Sequence, residues 1–527
     1  MTEALRILQR LLTQSARWLL SRLSALIFGT QKHLHNDRFA TESEMRTLNN
    51  KTSFGLVLGV DRFGHLLSVE ATKDRPHLGH LAIFGPTGAG KTRREVRQLK
   101  KWKGSVIVND PKCDLSDKTA AIRKKFGKVL FFAPSEGAGD SYDPLDGIEN
   151  ERKLFNLAKH LLYVPNEREP AFTEWATKML TQLFLAAKLA LKNGLTNKRP
   201  LPYVAWLINL GSLNDVAREV NAVSPVLARK LLNATYDPEK DYEQNAYRRS
   251  SWDSMVARLY PILTDDIVQC FNGSDIKVRD LIFSKKPITI YLLWHESDLL
   301  ALSPLIKFVW EAMISELITS YDLAPDKKQC QRVLLDIEEA GRTGIPNLPE
   351  HISTLRSRNI SVTAVWQDRS QGYALYGRDR AISMFNNFRY QIYHRQDDLE
   401  TAQYLENRLG SKSGFAHSKT EHEGHVSSGE SEQKIPLLTE QYIMYDMPDD
   451  EIICFWGKRP FLAKRIPRPN IPPERKPSAE PVMRQLPAVS SVAEPAQAEL
   501  HSSWRTDPTL LRHWQSPNAT SQISHQA

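Results

Sequence analysis

Apolar positions along this chain follow two patterns. Short apolar runs closed by glycine, proline or acidic residues read as buried strands, and stretches with apolar residues three and four apart read as helices. SFGLVLGVDRFGHLLSVEA predicts two strands joined around Arg62-Phe63-Gly64. Further strands are expected at HLAIF, at 106–108 in GSVIVNDPKCDL and in KVLFFAPSE. From 151 to 270 the helical period takes over, as in FTEWATKMLTQLFLAAKLAL, where Phe172, Trp175, Met179 and Leu183 share a face and predict a helical core. Strand runs return in PITIYLLWH, RVLLDIEEAGR, SVTAVWQDRSQ, FRYQIYHR and EIICFWGKRPFLAKRI. Strands alternating with helices predict an α/β fold with a parallel sheet, interrupted by an all-α insertion.

The two ends read differently. Residues 1–35 carry Leu5, Leu8, Leu12, Leu19, Leu23 and Leu26 at helical spacing, with Arg6, Arg10 and Arg17 on another face. That is a basic amphipathic helix suited to a membrane interface or a partner helix. No stretch reaches the roughly 18–20 apolar residues that span a bilayer. From 467 to 527 the chain is rich in Pro, Ser and Ala, and a disordered tail is expected there. Its Trp504 and Trp514 could mark a docking segment.

Composition adds two constraints. A formal net charge of +9 fits a nucleic acid or an anionic membrane surface as partner, or simply a solvated basic surface. The four cysteines, Cys113, Cys270, Cys330 and Cys454, have no metal-ligand spacing and read as reduced thiols.

The chemistry starts at GPTGAGKT, residues Gly85, Pro86, Thr87, Gly88, Ala89, Gly90, Lys91 and Thr92, which fits the phosphate-binding loop G-x-x-x-x-G-K-[ST]. The glycines let backbone N–H groups converge on phosphate oxygens, and the following helix adds its positive N-terminal end. Lys91 should reach the β- and γ-phosphates, and the Thr92 hydroxyl should ligate Mg²⁺. A hydrolytic site also needs carboxylates at the end of a neighbouring strand. VLLDIEEAGR offers Asp336, Glu338 and Glu339, and Asp336 and Glu338 share a face in a period-two strand. Which of the three holds the metal depends on where the strand ends. Gln367, at the end of VTAVW, could read the γ-phosphate or position water. Arg356 could serve a neighbouring subunit's site, with Arg358 as the nearby competitor.

In this order the segments resemble the type IV secretion system coupling proteins, the conjugative DNA-transfer ATPases of the TraG/VirD type. The resemblance covers about 36 to 466. It runs through HNDRFATESEM, GLVLGVDRFGHLL, GPTGAGKT, VIVNDPKCDL, EPAFTEWATKML, DIKVRDLIFSKKPITIYLLW, EEAGRTGIPNLPEHISTLR, VWQDRSQGYALYG, EQKIPLLTEQ and FWGKRPFLAKRI. It implies a RecA-like P-loop nucleotide-binding domain in two parts, 36–150 and 271–466, with an all-α insertion at 151–270. It further implies ATP and Mg²⁺ as cofactors and a homo-hexamer at the cytoplasmic face of a bacterial inner membrane. The implied partners are type IV secretion channel subunits, with DNA (single-stranded, through a relaxase complex) or secreted proteins as cargo.

By position, Glu338 and Glu339 stand for the family's Asp-Glu pair, Gln367 for its sensor glutamine and Arg356 for its trans-acting arginine. Glu338 departs from the family's aspartate by one methylene. The family's usual N-terminal transmembrane helices are replaced here by the amphipathic segment, which implies peripheral attachment or a separate membrane subunit. Two other functions fit the same segments. One is a nucleotide-switched cargo receptor with little motor activity. The other is a general double-stranded DNA translocase, whose usual winged-helix domain the composition of the tail argues against.

Overall fold

The computed structural model describes residues 37–48, 54–71, 77–163, 170–422, 425–457, 459–468 and 486. The helix expected over 1–35 and nearly all of the expected tail lie outside these residues. Among the described residues no helix is long and apolar enough to cross a membrane.

The apolar runs assemble into one sheet of twelve strands. In chain order these are β1 (Leu56–Val60), β2 (Leu66–Val69), β3 (Leu81–Phe84), β4 (Ser105–Asn109), β5 (Lys128–Ala133), β6 (Ala138–Gly139), β7 (Ile288–Leu292), β8 (Val333–Ile337), β9 (Ile360–Trp366) and β10 (Tyr390–Tyr393). β11 (Ser411–His422) and β12 (His425–Pro436) form a separate antiparallel hairpin, and β13 (Glu451–Trp456) and β14 (Arg459–Lys464) complete the large sheet. Across that sheet the order is β2-β1-β14-β13-β10-β3-β9-β8-β4-β7-β5-β6. From β10 to β5 every pairing is parallel, and the pairs at the two margins are antiparallel.

The central strands are buried on both faces, so they read as continuous apolar runs instead of alternating ones. Their side chains still divide by the two-residue period. Leu81 and Ile83 join a core with Leu99 of helix Lys91–Lys101, Trp102 just after it and Leu115 of helix Asp114–Lys124. Ala82 and Phe84 face the larger core, with Ile306 of Ser303–Asp322, Ile352 of Leu348–Leu355 and Leu405 of Leu399–Leu409. The result is a three-layer α/β arrangement.

Between β6 and β7 the chain leaves the sheet. Among the described residues of 151–270 the regular elements are all helical, including Glu151–Leu161, Pro170–Lys192, Pro200–Asn209 and Ala246–Leu259. Met179 and Leu183 are fully buried there, while Phe172 and Trp175 are half-buried against Tyr247. The hairpin β11–β12 has no counterpart in the sequence pattern. Its strands are almost entirely polar and offer no apolar alternation to read.

One buried arginine fastens the phosphate-loop helix to the sheet. Arg123 is 1% exposed. Its guanidinium donates to the carbonyls of Leu99, Trp102 and Gly104 and to the Thr289 hydroxyl, the last at 2.8 Å. Arg123→Met removes these donors and strands several buried acceptors. It is expected to lower the unfolding free energy by about 3 kcal/mol in a urea titration, and a loss below about 0.5 kcal/mol would contradict this role.

Candidate nucleotide site

β3 delivers the chain into the loop at its C-terminal end. Gly88 and Gly90 take φ values of 84° and 95°, which side chains rarely adopt, and helix Lys91–Lys101 starts directly after them. At Gly85 a Cβ would sit 2.8 Å from the Cβ of His394, which follows β10, so the loop can leave the sheet only through a glycine. Lys91 is partly buried and donates through Nζ to the carbonyls of Gly85 and Pro86 at 2.5 and 2.9 Å. Burial lowers its pKa below the usual ammonium range.

The strand order puts the remaining chemistry beside the loop. β9 lies between β3 and β8, so their C-terminal ends form one edge. The Thr92 hydroxyl donates to Glu338 Oε1 at 3.1 Å across that edge. Glu338 is 4% exposed and its Oε2 has no partner among the described residues. Asp336, on the same face of β8 one pleat deeper, is fully buried with both oxygens unpartnered. Both oxygens of Glu95, on the loop's helix, are in the same condition.

Burial pushes the Glu338 carboxyl up to about 8, helped by Asp110, and pushes Asp336 up to about 7 against the pull of Arg94. Glu95 is raised well above the carboxylate range by burial and by Glu338 and Asp336. Asp110 directly follows β4 and is itself raised to about 6 by burial, although it accepts the N–H groups of Leu115 and Ser116.

Glu339 breaks from the strand. Its φ of 52° is left-handed, a conformation costing roughly 1–2 kcal/mol for a residue with a side chain. Asn109 holds the turn by donating to Glu338 O at 3.0 Å and to Thr343 Oγ1 at 2.8 Å. The Glu339 carboxylate is thereby aimed at Lys112, whose Nζ lies 2.7 Å from Oε1. Sequence reasoning quoted the D-P-K string but gave Lys112 no role. The signal was its place one residue after a strand-ending Asp-Pro, yet its partner lies 227 positions away.

Gln367 directly follows β9, and its N–H donates to Gln371 Oε1 at 3.1 Å. A Cβ on Gly341 would stand 2.2 Å from that oxygen, so the segments after β8 and β9 touch where a side chain has no room.

Arg356 is apart from all of these. It is exposed in the turn Arg356–Arg358 that leads into the N-terminal end of β9. Seven residues of strand put it about 20 Å or more from the phosphate loop. Arg358 is held by Asp322 through two bonds of 2.8 and 2.9 Å, whereas Arg356 has no ion pair among the described residues.

The site fits a magnesium nucleotide. The unpartnered Glu338 oxygen beside the Thr92 hydroxyl suits a hard cation, and Lys91 with the glycine loop suits the phosphates. Among the described residues no three His, Cys, Asp or Glu side chains form a metal site by themselves.

A family model for type IV secretory system conjugative DNA transfer matches residues 38–467. The chain belongs to that family. It is similar to the VirD4 protein of Agrobacterium fabrum (strain C58), with 24% identity over 478 residues, covering 84% of this chain and 67% of that protein. It is also similar to a conjugal transfer protein TraG of Escherichia coli, with 25% identity over 363 residues, covering 63% and 55%. It therefore spans between about half and two thirds of the length of these relatives. Among solved structures, the conjugative coupling protein TrwB matches over 84% of this chain and 95% of its own, with TM-score 0.59 and 17% identity. TrwB in complex with ADP and Mg²⁺ matches with TM-score 0.58 and 18% identity. The likeness extends to the α/β fold with its helical part.

The roles of the acids can be separated by experiment. Thr92→Val and Glu338→Gln should retain nucleotide binding in EDTA but lose the tightening that Mg²⁺ gives, by about tenfold or more. Asp336→Asn should keep that tightening, because its carboxyl lies a pleat below the Thr92 hydroxyl. Calorimetric titrations of ADP with and without Mg²⁺ check this. Loss of the Mg²⁺ effect in Asp336→Asn alone would assign the metal to Asp336 instead.

Proposed function

We propose that this chain is an ATP-hydrolysing coupling subunit of RecA-like type that recruits DNA or nucleoprotein and helps move it into a type IV secretion channel. The carrying observation is the split of one strand's two ends. The end of β9 next to Gln367 belongs to the loop, while Arg356 precedes its other end, about 20 Å away. Each subunit thus carries half a site at either edge, which suits a closed ring of head-to-tail contacts. A hexamer agrees with this arrangement. The family, the relatives' names and the TrwB complexes support the cargo class and the use of ATP and Mg²⁺.

In this reading Lys91 and the loop N–H groups bind and orient the β- and γ-phosphates. Thr92 and Glu338 would hold Mg²⁺, which supplies charge neutralisation when bound. Glu339 is the group that takes a proton from the attacking water, once its carboxylate leaves Lys112. Gln367 positions that water, and a neighbour's Arg356 stabilises the charge developing on the transferred phosphoryl group. The net charge of +9 suits a DNA cargo, and attachment at the inner face of the bacterial inner membrane, by the segment over 1–35 or a membrane partner, belongs to the same proposal.

The Lys112–Glu339 ion pair favours a second reading, a nucleotide-switched receptor with slow turnover, because it occupies the group that hydrolysis requires. DNA-stimulated ATP turnover, measured by phosphate release, separates the two. The motor reading expects Lys91→Ala and Arg356→Ala each to lose about 100-fold or more of that turnover. Arg356→Ala should still bind ATP. Mixing the two variants should restore activity, because about one interface in four then combines an intact loop with an intact arginine. Absence of rescue would sink the trans-acting arginine, and absence of any DNA stimulation in the parent would favour the receptor.

A further inference from the structure

The β9 ladder reaches Trp366, whose carbonyl accepts the Gly85 N–H at 3.2 Å, and the chain leaves the sheet with Gln367. Gln367 is half-buried, and its side-chain amide has no hydrogen bond among the described residues. Two residues further on, Arg369 holds the departing chain, and none of the roles above uses it.

Arg369 is 2% exposed. Among the described residues no carboxylate pairs with it. Instead its guanidinium lies 3.8 Å from the centre of the Tyr404 ring and 4.8 Å from that of Phe385. Nε donates to the Tyr373 hydroxyl at 3.1 Å and Nη1 to the Tyr393 hydroxyl at 3.3 Å. Its backbone N–H donates to Thr401 Oγ1 at 3.5 Å. A buried charge without an acid is costly, and an apolar side chain would avoid that cost. Aromatic faces and hydroxyls offset it only for one orientation of a planar cation, so this cage is directional.

The walls of the cage lead to the phosphate loop. Tyr393 ends β10 and stacks on Phe84, with ring centres 4.6 Å and planes 10° apart. Phe385 meets Phe84 edge-on at 5.2 Å. Phe84 is the last residue of β3, directly before Gly85. Arg369 therefore ties the turn after Gln367 to the strand that carries the loop, by a route separate from the backbone ladder. The remaining walls are braced in turn. Arg408 donates to the Tyr404 hydroxyl at 2.8 Å and to Gln391 Oε1, and the Tyr393 hydroxyl donates to that same oxygen at 2.8 Å.

We propose that Arg369 is the positioning residue of Gln367. The ladder fixes the chain before the glutamine and the cage fixes it after, which leaves the free amide held toward the loop. The proposal rests on the reading of Gln367 given above and names what holds that side chain in place.

Steady-state ATP turnover of the full chain with DNA present, beside calorimetric titration of ADP with Mg²⁺, tests it. Arg369→Met should lower kcat about tenfold, as a small misplacement of a positioned group does. KM for ATP and the affinity for ADP should stay within about twofold of the parent. Adding Gln367→Ala should lower kcat no further than Gln367→Ala alone, because two changes acting through one group do not add. A merely structural Arg369 would give the product of the two losses, and that result overturns the proposal. So does a parent-like kcat in Arg369→Met while Gln367→Ala is slow, in which case the role of the glutamine stands. If Gln367→Ala itself turns over like the parent, the reading of Gln367 falls and the proposal with it. If Arg369→Met does not fold, Tyr404→Leu removes the nearest wall and carries the test. It should lower kcat about threefold, in the range of one cation–ring contact, and have no effect in the Gln367→Ala background. The same threefold loss in that background overturns the proposal.

Discussion

The carboxyl groups of Glu95, Asp336 and Glu338 are buried beneath the loop, and the cations that act on them include Arg94, Lys91 and, at Glu338, Lys112. Isolated carboxylates cannot stay ionised in such a place, so their pKa values rise until the proton is retained near neutral pH. The neighbouring cations give limited relief. Arg94 is occupied by the Val57 carbonyl and Gln98, and Lys91 by two loop carbonyls. The loop's floor is therefore short of positive charge at the point where Thr92 presents its hydroxyl. A divalent ion arriving with phosphate oxygens corrects that deficit. The longer glutamate at 338 suits the geometry, since its carboxyl reaches the Thr92 hydroxyl from beyond the last residue of β8.

That floor depends in turn on how the helix is held. Arg94 and Gln98 bond the backbone of β1 and of Gly55 just before it, near the sheet margin and six places from β8. Arg123 ties the helix's end to β4 and β7. The polar groups in these contacts are buried because they replace backbone partners that no other element supplies, which a buried carbonyl requires.

Legibility in the sequence followed the range of the interaction. The loop is a local device, eight residues that carry their own geometry, so its string was enough. The strands around Asp336 and Gln367 were legible as apolar runs. Their order was not, because nothing local says that β9 inserts between β3 and β8. Helix Lys91–Lys101 misleads in the same way. KTRREVRQLKK reads as a solvated charged face, yet Arg94, Glu95 and Gln98 are among its most buried residues. Tertiary demand from β1 and the acidic cluster overrides the local pattern. Lys112 went unread because its partner is distant in sequence, and the pairing that distinguishes Arg358 from Arg356 is with Asp322, 36 positions from Arg358.

β9 is the element that joins these parts into one device. Gln367 leaves its C-terminal end beside the loop, and Arg356 enters its N-terminal end at the opposite edge of the sheet. At that far edge the strand is pinned to β3 by His80, whose Nδ1 accepts the Val362 N–H at 3.0 Å. Burial, reinforced by the charge of Arg356, lowers the imidazole to about 4, so it stays neutral and keeps its acceptor near neutral pH. A seven-residue strand fixed at both ends moves as a unit. In a ring built as proposed, whatever displaces Gln367 in one subunit displaces the arginine offered to the next. Sequential coupling between sites then needs no separate relay, because the same strand belongs to two of them.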